Sequence, residues 1–202
     1  MSTLAIDKAI DKVPFLAGSK NIKKIPLSGG ITNLNFKVEA DGRSYVIRLA
    51  GEGTDQLGIK RDVEYAANYA AGQMGIAPEV VYFIEPENYI VTKFITGKTI
   101  PPDVIKTPDY LARVAKKIRL FHKRGPKLKG EFNVFRRVEM LTKISKRNNA
   151  KFPHDWDWIM QKAKEVEKAL AKDPYIPTPT HNDLLNLNWL EEDVPGDIGE
   201  IR

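Results

Sequence analysis

The 202-residue sequence contains no cysteine. Disulfides, thiolate zinc sites and cysteine nucleophiles are therefore excluded. Histidine is scarce, with only His122, His154 and His181. Their dispersed spacing argues against a metal-hydrolase site. No apolar run approaches the roughly 18 residues a membrane-spanning helix needs. Internal repeats and low-complexity segments are lacking. The first eleven residues are mixed polar, without the charged-then-apolar layout of a signal peptide, so a cytoplasmic location is expected. What is present is the balance of a soluble globular protein, 42% hydrophobic and 29% charged. That length suits one ordinary domain, or two small lobes sharing a core.

Lys and Arg number 32 against 26 Asp and Glu, a net charge of +6. A basic excess favours phosphate-bearing partners, whether nucleotide or nucleic acid, or serves solubility alone. The densest stretches are 116–119, 123–124 and 143–147, on helix-like segments. They are expected to be mainly solvated faces. No zinc-finger or RNP-type motif supports nucleic acid as the partner, so none is expected.

Strand signals dominate from 22 to 94. Strands are predicted over 22–26, 32–39 and 44–49, as a meander whose second turn contains Asp41-Gly42, a hairpin signal. A helix is predicted over 57–74, with Ile59, Val63, Ala66, Ala67, Ala70 and Met74 as its apolar stripe; Gly75 ends it. Strands over 80–84 and 89–94 flank a second turn. Pro101, Pro102 and Pro108 then mark a connector, and the remainder reads as helical. Thr107 is placed to cap a helix that buries Leu111, Val114, Ala115, Ile118 and Phe121. Further helices are expected over 134–146 and 155–171, the last with Ile159, Ala163, Val166 and Leu170 inward. The fold class is α+β: a five-stranded antiparallel sheet with one helix inserted after the third strand, then a helical lobe. The boundary falls between an N-terminal lobe, 1–95, and a helical lobe, 96–202. The junction at 94–98 is a natural place for a ligand cleft.

The chemistry concentrates in Thr180-His181-Asn182-Asp183-Leu184-Leu185-Asn186-Leu187-Asn188-Trp189. Polar residues set among apolar ones need partners or a task. Asp183 and Asn188 have the Asp-x4-Asn spacing of the protein-kinase catalytic loop. There an Asp carboxylate orients the attacking hydroxyl, and the Asn amide oxygen is a hard neutral ligand for magnesium. A turn at Asp183 and Asn186 followed by a strand at Asn188 would give the same residues. Upstream, Ser28-Gly29-Gly30-Ile31-Thr32-Asn33 puts glycines and small hydroxyls between the first two strands. Backbone N–H groups can approach phosphate oxygens there, although two glycines also suit a plain tight turn. Arg48 ends the third strand and Glu64 lies on the following helix. The pair could hold phosphates, or form a structural salt bridge.

Taken in order, these segments resemble the choline/ethanolamine kinases of the aminoglycoside-phosphotransferase-like group, which share the protein-kinase fold. The resemblance rests on residues 27–36, Val46-Ile47-Arg48-Leu49, Gly75-Ile76-Ala77-Pro78 and Thr180-His181-Asn182-Asp183-Leu184-Leu185. It implies a kinase-like two-lobe fold using ATP and Mg²⁺, with choline or ethanolamine favoured as the small-molecule alcohol acceptor. Ser28, Gly29, Gly30, Thr32 and Asn33 would belong to the nucleotide loop, with Arg48 on the phosphates and Glu64 as its partner. Lys93, Phe94 and Ile95 would line the adenine pocket through backbone groups. Asp183 would be the catalytic base, His181 a brace for the catalytic loop and Asn188 a magnesium ligand. His122 is expected to be structural and His154 to lie on the surface.

The sequence departs from the family after Asn188. Relatives reach an acidic Ile-Asp-Phe/Trp-Glu motif for a second magnesium position, and helices that cage choline. This sequence stops first, and Asp193 and Asp197 are poor substitutes. The expectation is a C-terminally incomplete helical lobe whose uncovered apolar faces favour self-association. Trp156 and Trp158 are expected to pack at a helix start rather than cage an ammonium group. The competing readings are an active small-molecule kinase, an inactive fragment or nucleotide-binding module of the same fold, and, less favoured, a basic nucleic-acid-binding protein.

Overall fold

In the computed structural model, residues 2–27, 33–51, 58–194 and 199–202 are described. Ser28, Gly29, Gly30 and Thr32, the start of the predicted helix at Leu57, and Asp197 lie outside them.

The N-terminal half is an antiparallel sheet of β1 (Lys23–Leu27), β2 (Asn33–Ala40), β3 (Arg43–Ala50), β4 (Val80–Ile84) and β5 (Tyr89–Lys93), in the order β1-β2-β3-β5-β4. All five predicted strands are present. Asp41 and Gly42 make the two-residue turn with φ of 50° and 75°. Positive φ at both positions is what a type I′ hairpin requires. Ala40 consequently faces Arg43, which fixes the register Phe36↔Ile47 and Asn35↔Arg48.

That register divides the two central strands into faces. Phe36, Val38 and Ala40 of β2, with Tyr45, Ile47 and Leu49 of β3, are buried. They pack against α1 (Ser2–Asp11), through Ile6, Ala9 and Ile10, and against Val13 and Leu16 just beyond it. This helix was not foreseen. Its signal is the spacing Ile6, Ile10, Val13, obscured by the intervening Asp and Lys residues. On the opposite face, Asn33, Asn35 and Lys37 alternate with the core residues of β2, and Val46, Arg48 and Ala50 with those of β3.

Helix α2 (Arg61–Gln73) lies between β3 and β4. It starts later than the sequence suggests, because Lys60 is extended (φ −91°, ψ 107°) and the chain turns helical only at Arg61. Ile59 is therefore outside it. Asp62 and Glu64 in its first turn complement the helix dipole. It ends as expected: Ile76 N–H donates to the Ala71 carbonyl and Gly75 N–H to that of Gly72, the paired bonds of a Schellman stop.

The C-terminal half contains α3 (Pro102–Ile105), α4 (Pro108–Arg124), α5 (Val134–Arg147) and α6 (Trp156–Leu170). Thr107 occupies the N-cap position of α4, but its hydroxyl donates back to the Val104 carbonyl instead of capping the helix. The side chain that does cap is Asn133, which accepts from Phe135 and Arg136 N–H at 3.0 and 3.1 Å. Several predicted core positions are corrected. Leu111 and Ala115 on α4 are exposed, as are Ile159, Val166 and Leu170 on α6. Trp156 packs at a tilt against Phe152, with ring centroids 4.8 Å apart, whereas Trp158 is exposed. A second buried cluster joins Ile100, Val114, Trp189 and Ile201.

A small sheet was not anticipated from residue patterns. In it β6 (Gly97–Thr99) pairs with β7 (Leu190–Glu192), with Gly97 opposite Glu192. Gly97 is required for close approach, since a Cβ there would lie 2.3 Å from the Glu191 carbonyl oxygen. This pairing ties the connector to the chain that leaves the Asp183–Asn188 segment.

Candidate functional site

Two groups of residues were singled out by sequence, and several described members of each are in contact. The first lies on the Arg48 face of the sheet. Arg48 Nη1 stands 3.3 Å from Glu64 Oε1, so β3 and α2 do bring the predicted pair together. Glu64 has a shorter contact that was not foreseen: Arg61 Nη1 lies 2.5 Å from its Oε2. The same Arg61 nitrogen donates to Asn33 Oδ1 at 2.9 Å. The sequence did carry a signal, since Arg61 and Glu64 are three apart on a helix, where side chains are neighbours. Asn33 thus sits at the edge of the predicted nucleotide loop and is anchored to α2. Beside it, Asn35 is paired with Arg48 across the strands and has a buried Oδ1 with no hydrogen-bond partner. An orphaned acceptor next to an arginine fits a face that receives a polar ligand.

The connector residues are partly committed. Lys93 N–H donates to the Glu79 carbonyl and Phe94 N–H to that of Ser44. Lys93 extends its ammonium to Glu79 at 2.5 Å. Among the described residues, Ile95 is the one of the three whose N–H has no such partner. Lys37 Nζ lies 4.3 Å above the Phe94 ring, on the Arg48 face of β2. A cavity of about 230 Å3 is found elsewhere, between α1 and the β4–β5 turn, lined by Leu4, Ala9, Ile84 and Tyr89 among others. It does not lie at the 94–98 junction.

The second group is the loop ahead of β7. Asn188 Nδ2 donates both to the Asp183 carbonyl at 3.0 Å and to its carboxylate Oδ2 at 2.9 Å. The Asp-x4-Asn spacing therefore closes on itself, through a turn of 3₁₀ helix at Asn186–Asn188. Asp183 N–H donates to His181 Nδ1 at 3.2 Å. His181 also stacks on the buried Trp189, with centroids 6.4 Å apart. An imidazole nitrogen that accepts a bond is unprotonated, which suits a brace for the loop. Asn182 takes a left-handed φ of 62°, and its side-chain oxygen accepts from the Thr180 hydroxyl at 2.9 Å. Asn186 secures the loop to the connector by donating to the Ile100 carbonyl at 3.0 Å. The apolar surroundings inferred from sequence are absent here, because Leu184, Leu185 and Leu187 are all more than half exposed.

Magnesium chemistry can be tested on this donor set. With its nitrogen engaged by Asp183, the amide oxygen of Asn188 makes no hydrogen bond among the described residues. It is the kind of hard oxygen Mg²⁺ accepts, one or two protein ligands being usual beside water and phosphate oxygens. Among the described residues there is no group of three or more His, Asp or Glu that could hold a metal ion.

Behind the loop, β7 is clamped to α4. Arg113 Nη1 bonds Glu191 Oε1 at 2.9 Å, and Tyr110 donates to Oε2 at 2.8 Å. Arg113 also donates to the Gly199 carbonyl, and its guanidinium lies 4.8 Å above the Tyr110 ring. Burial alone would raise the Glu191 carboxyl, but the hydrogen bonds from Tyr110 and Arg113 and the arginine charge outweigh it and hold the group below its usual range. The same hydrogen bond to Glu191 pushes the Tyr110 hydroxyl up. Lys117 bonds Glu200 at 2.6 Å and so depresses its carboxyl.

Comparison with known proteins places this geometry. The sequence pattern of choline/ethanolamine kinases matches residues 25–199. A choline/ethanolamine kinase family protein from Mesorhizobium loti superposes with a TM-score of 0.73 at 28% identity, covering 99% of this chain and 62% of that one. The choline kinase LicA from Streptococcus pneumoniae gives 0.75 at 21% identity, with 96% and 65% covered, and is also known in complex with AMP. An ethanolamine kinase from Plasmodium vivax gives 0.70 at 20%, with 98% and 57% covered. The chain thus spans about three fifths of the length of these structures. Its α+β fold, a five-stranded sheet followed by helices, is theirs. A search of curated protein sequences found no match.

Proposed function

The chain belongs to the choline/ethanolamine kinase family, and from that premise we propose that it serves transfer of the γ-phosphoryl group of ATP to the hydroxyl of a small amino alcohol, choline or ethanolamine. The observation that carries this reading is the closed Asp183–Asn188 pair. It sets a carboxylate beside a free amide oxygen in one short loop, the arrangement phosphoryl transfer needs at the acceptor side.

Each residue has a physical task. Asp183 orients the acceptor hydroxyl and takes its proton as the oxygen attacks phosphorus. His181 and Asn188 hold the Asp183 backbone and carboxylate in place. The Asn188 amide oxygen would hold Mg²⁺, which when bound neutralises phosphate charge. Arg48 supplies a cation to the phosphates, and Glu64 fixes its direction. Ser28, Gly29, Gly30 and Thr32 would offer backbone N–H groups to the phosphates, and residues 93–95 would border the base. Residues 1–95 would then form the nucleotide-binding half, and 96–202 the half bearing the catalytic loop. Because such catalysis is mainly positioning and electrostatics, a loop held by its own hydrogen bonds is well suited to it. A second reading, nucleotide binding without turnover, draws on the chain's coverage of about three fifths of its relatives.

Transfer of labelled γ-phosphate from ATP to choline or ethanolamine tests the assignment. Asp183→Asn should lower turnover by roughly 10²–10⁴ and leave nucleotide affinity within about threefold. Undiminished turnover in that variant would remove Asp183 from the mechanism.

A further inference from the structure

We propose that Arg61 is a positioning residue that couples Asn33, at the start of β2, to the Arg48–Glu64 pair; this rests on the nucleotide-binding reading above. Glu64 is shared by two arginines, and the two contacts are unequal. Arg61 Nη1 approaches to 2.5 Å, whereas Arg48 Nη1 stands at 3.3 Å, beyond the usual span of a charge-assisted bond. The carboxylate is therefore held chiefly by Arg61. Arg48 is steered by Glu64 without being captured, and keeps most of its donors for an anion.

Exposure follows the same division. The Arg61 and Glu64 side chains are 14% and 17% exposed, and that of Arg48 is 38% exposed. The more exposed cation is Arg48, while Arg61 is largely enclosed. Its second bond, to Asn33 Oδ1, explains what it does there. Asn33 is the first residue of β2 and immediately follows 28–32. It pairs with Ala50, two residues beyond Arg48 on β3. One guanidinium thus joins the start of β2, the helix acid and, through that acid, the strand cation. Lysine could reproduce this only in part, because both bonds leave Nη1, which lies one bond farther along the side chain than a lysine ammonium would.

The experiment combines hydrogen exchange with nucleotide titration on the full chain. In the nucleotide-free protein, Arg61→Met should speed exchange in the peptide covering Asn33–Ala40 at least severalfold, leaving the Val80–Ile84 and Tyr89–Lys93 hairpin unchanged. ATP affinity in the presence of magnesium should fall about tenfold, the scale of one charge-assisted bond. Asn33→Ala should produce a similar loss, and the double variant should be no weaker than either single one. Arg61→Lys, which preserves charge and bulk, should recover only part of the affinity and so guards against a merely misfolded Met variant. In turnover assays the loss should appear in KM for ATP with kcat little changed. Unaltered exchange in Arg61→Met, or additive losses in the double variant, would overturn the proposal, the latter by making Arg61 a direct phosphate ligand. A wild-type chain that fails to bind ATP would sink the nucleotide reading instead, while the exchange comparison would still decide whether Arg61 holds the start of β2.

Discussion

Replacing Arg113 by Met should loosen the attachment of the Asp183–Asn188 loop, and the structure sets the scale. The guanidinium makes a charged bond to Glu191, a second bond to the Gly199 carbonyl and a cation–π contact with Tyr110. Bonds to charged groups contribute about 1.5–3 kcal/mol, and breaking a fully buried ion pair costs about 3–5 kcal/mol. This pair is not fully buried, since the two side chains are 22% and 29% exposed, so water recovers part of the loss. Methionine also preserves much of the packing of the arginine stem. The expected net effect is a loss of about 2 kcal/mol, which in a chain of this size lowers the melting temperature by about 4–8 °C. Glu191→Gln removes the charge and keeps only one of the two acceptor oxygens, with an amide NH2 in place of the other, so it should cost a comparable amount. A double-mutant cycle on Arg113 and Glu191, followed by urea unfolding, should give a coupling above about 1 kcal/mol. A melting temperature within about 1 °C of wild type for Arg113→Met, or a coupling near zero, would refute the reasoning and make the clamp an incidental surface contact.

Acid should weaken the same clamp. Glu191 is held below its ordinary value in the folded chain, so the unfolded chain takes up the proton first as pH falls; the stabilisation is complete above the ordinary glutamate value of about 4.3 and is lost below it. Thermal melts between about pH 6 and 3 should therefore show a steeper acid decline in wild type than in Glu191→Gln, and equal slopes would contradict the depressed carboxyl. Gly97→Ala should cost about 1–3 kcal/mol, because its Cβ would meet the Glu191 carbonyl at 2.3 Å; a melt unchanged from wild type would show that β6 and β7 separate freely. Asn188→Ala should raise the magnesium concentration needed for half-maximal ATP binding severalfold, and an unchanged requirement would exclude this amide as a ligand.

Local chemistry made much of this molecule readable. Asp41-Gly42 dictated a turn, and the turn dictated which residues of β2 and β3 face the core. The Asp183–Asn188 spacing pointed to two side chains that do hydrogen-bond to each other. The features not foreseen depend on contacts distant in sequence. The three-residue strands β6 and β7 are too short to carry a pattern and exist because they pair with each other. Thr107 has the sequence context of a cap, yet the Val104 carbonyl competes successfully for its hydroxyl. Arg61 was not singled out in the sequence, and its acceptor Asn33, 28 residues earlier, comes within reach only in the fold. The apolar stripes of α4 and α6 were legible as stripes, but periodicity says only which side is apolar, not what covers it. Leu111, Ile159, Val166 and Leu170 are exposed.

The loop also shows how its restraint is distributed. Its second half is fixed from outside, by Asn186 on the Ile100 carbonyl, by Trp189 in the buried cluster and by Glu191 in the α4 clamp. Its first half is held by bonds within the loop: Thr180 to Asn182, His181 to Asp183, and Asn188 to Asp183. Three exposed leucines add little packing there. The position of the Asp183 carboxylate is therefore inherited from Asn188, and that of Asn188 from the anchored strand behind it. A disturbance at Arg113, across the clamp, should reach Asp183 along this chain of contacts, whereas one at Leu184 or Leu185 should alter the loop's surface with far less effect on its carboxylate. The residue assigned to hold magnesium is also the one that positions the proposed base, which is why the two functions cannot be separated by deleting Asn188 and require the Asp183 and Arg113 variants to tell them apart.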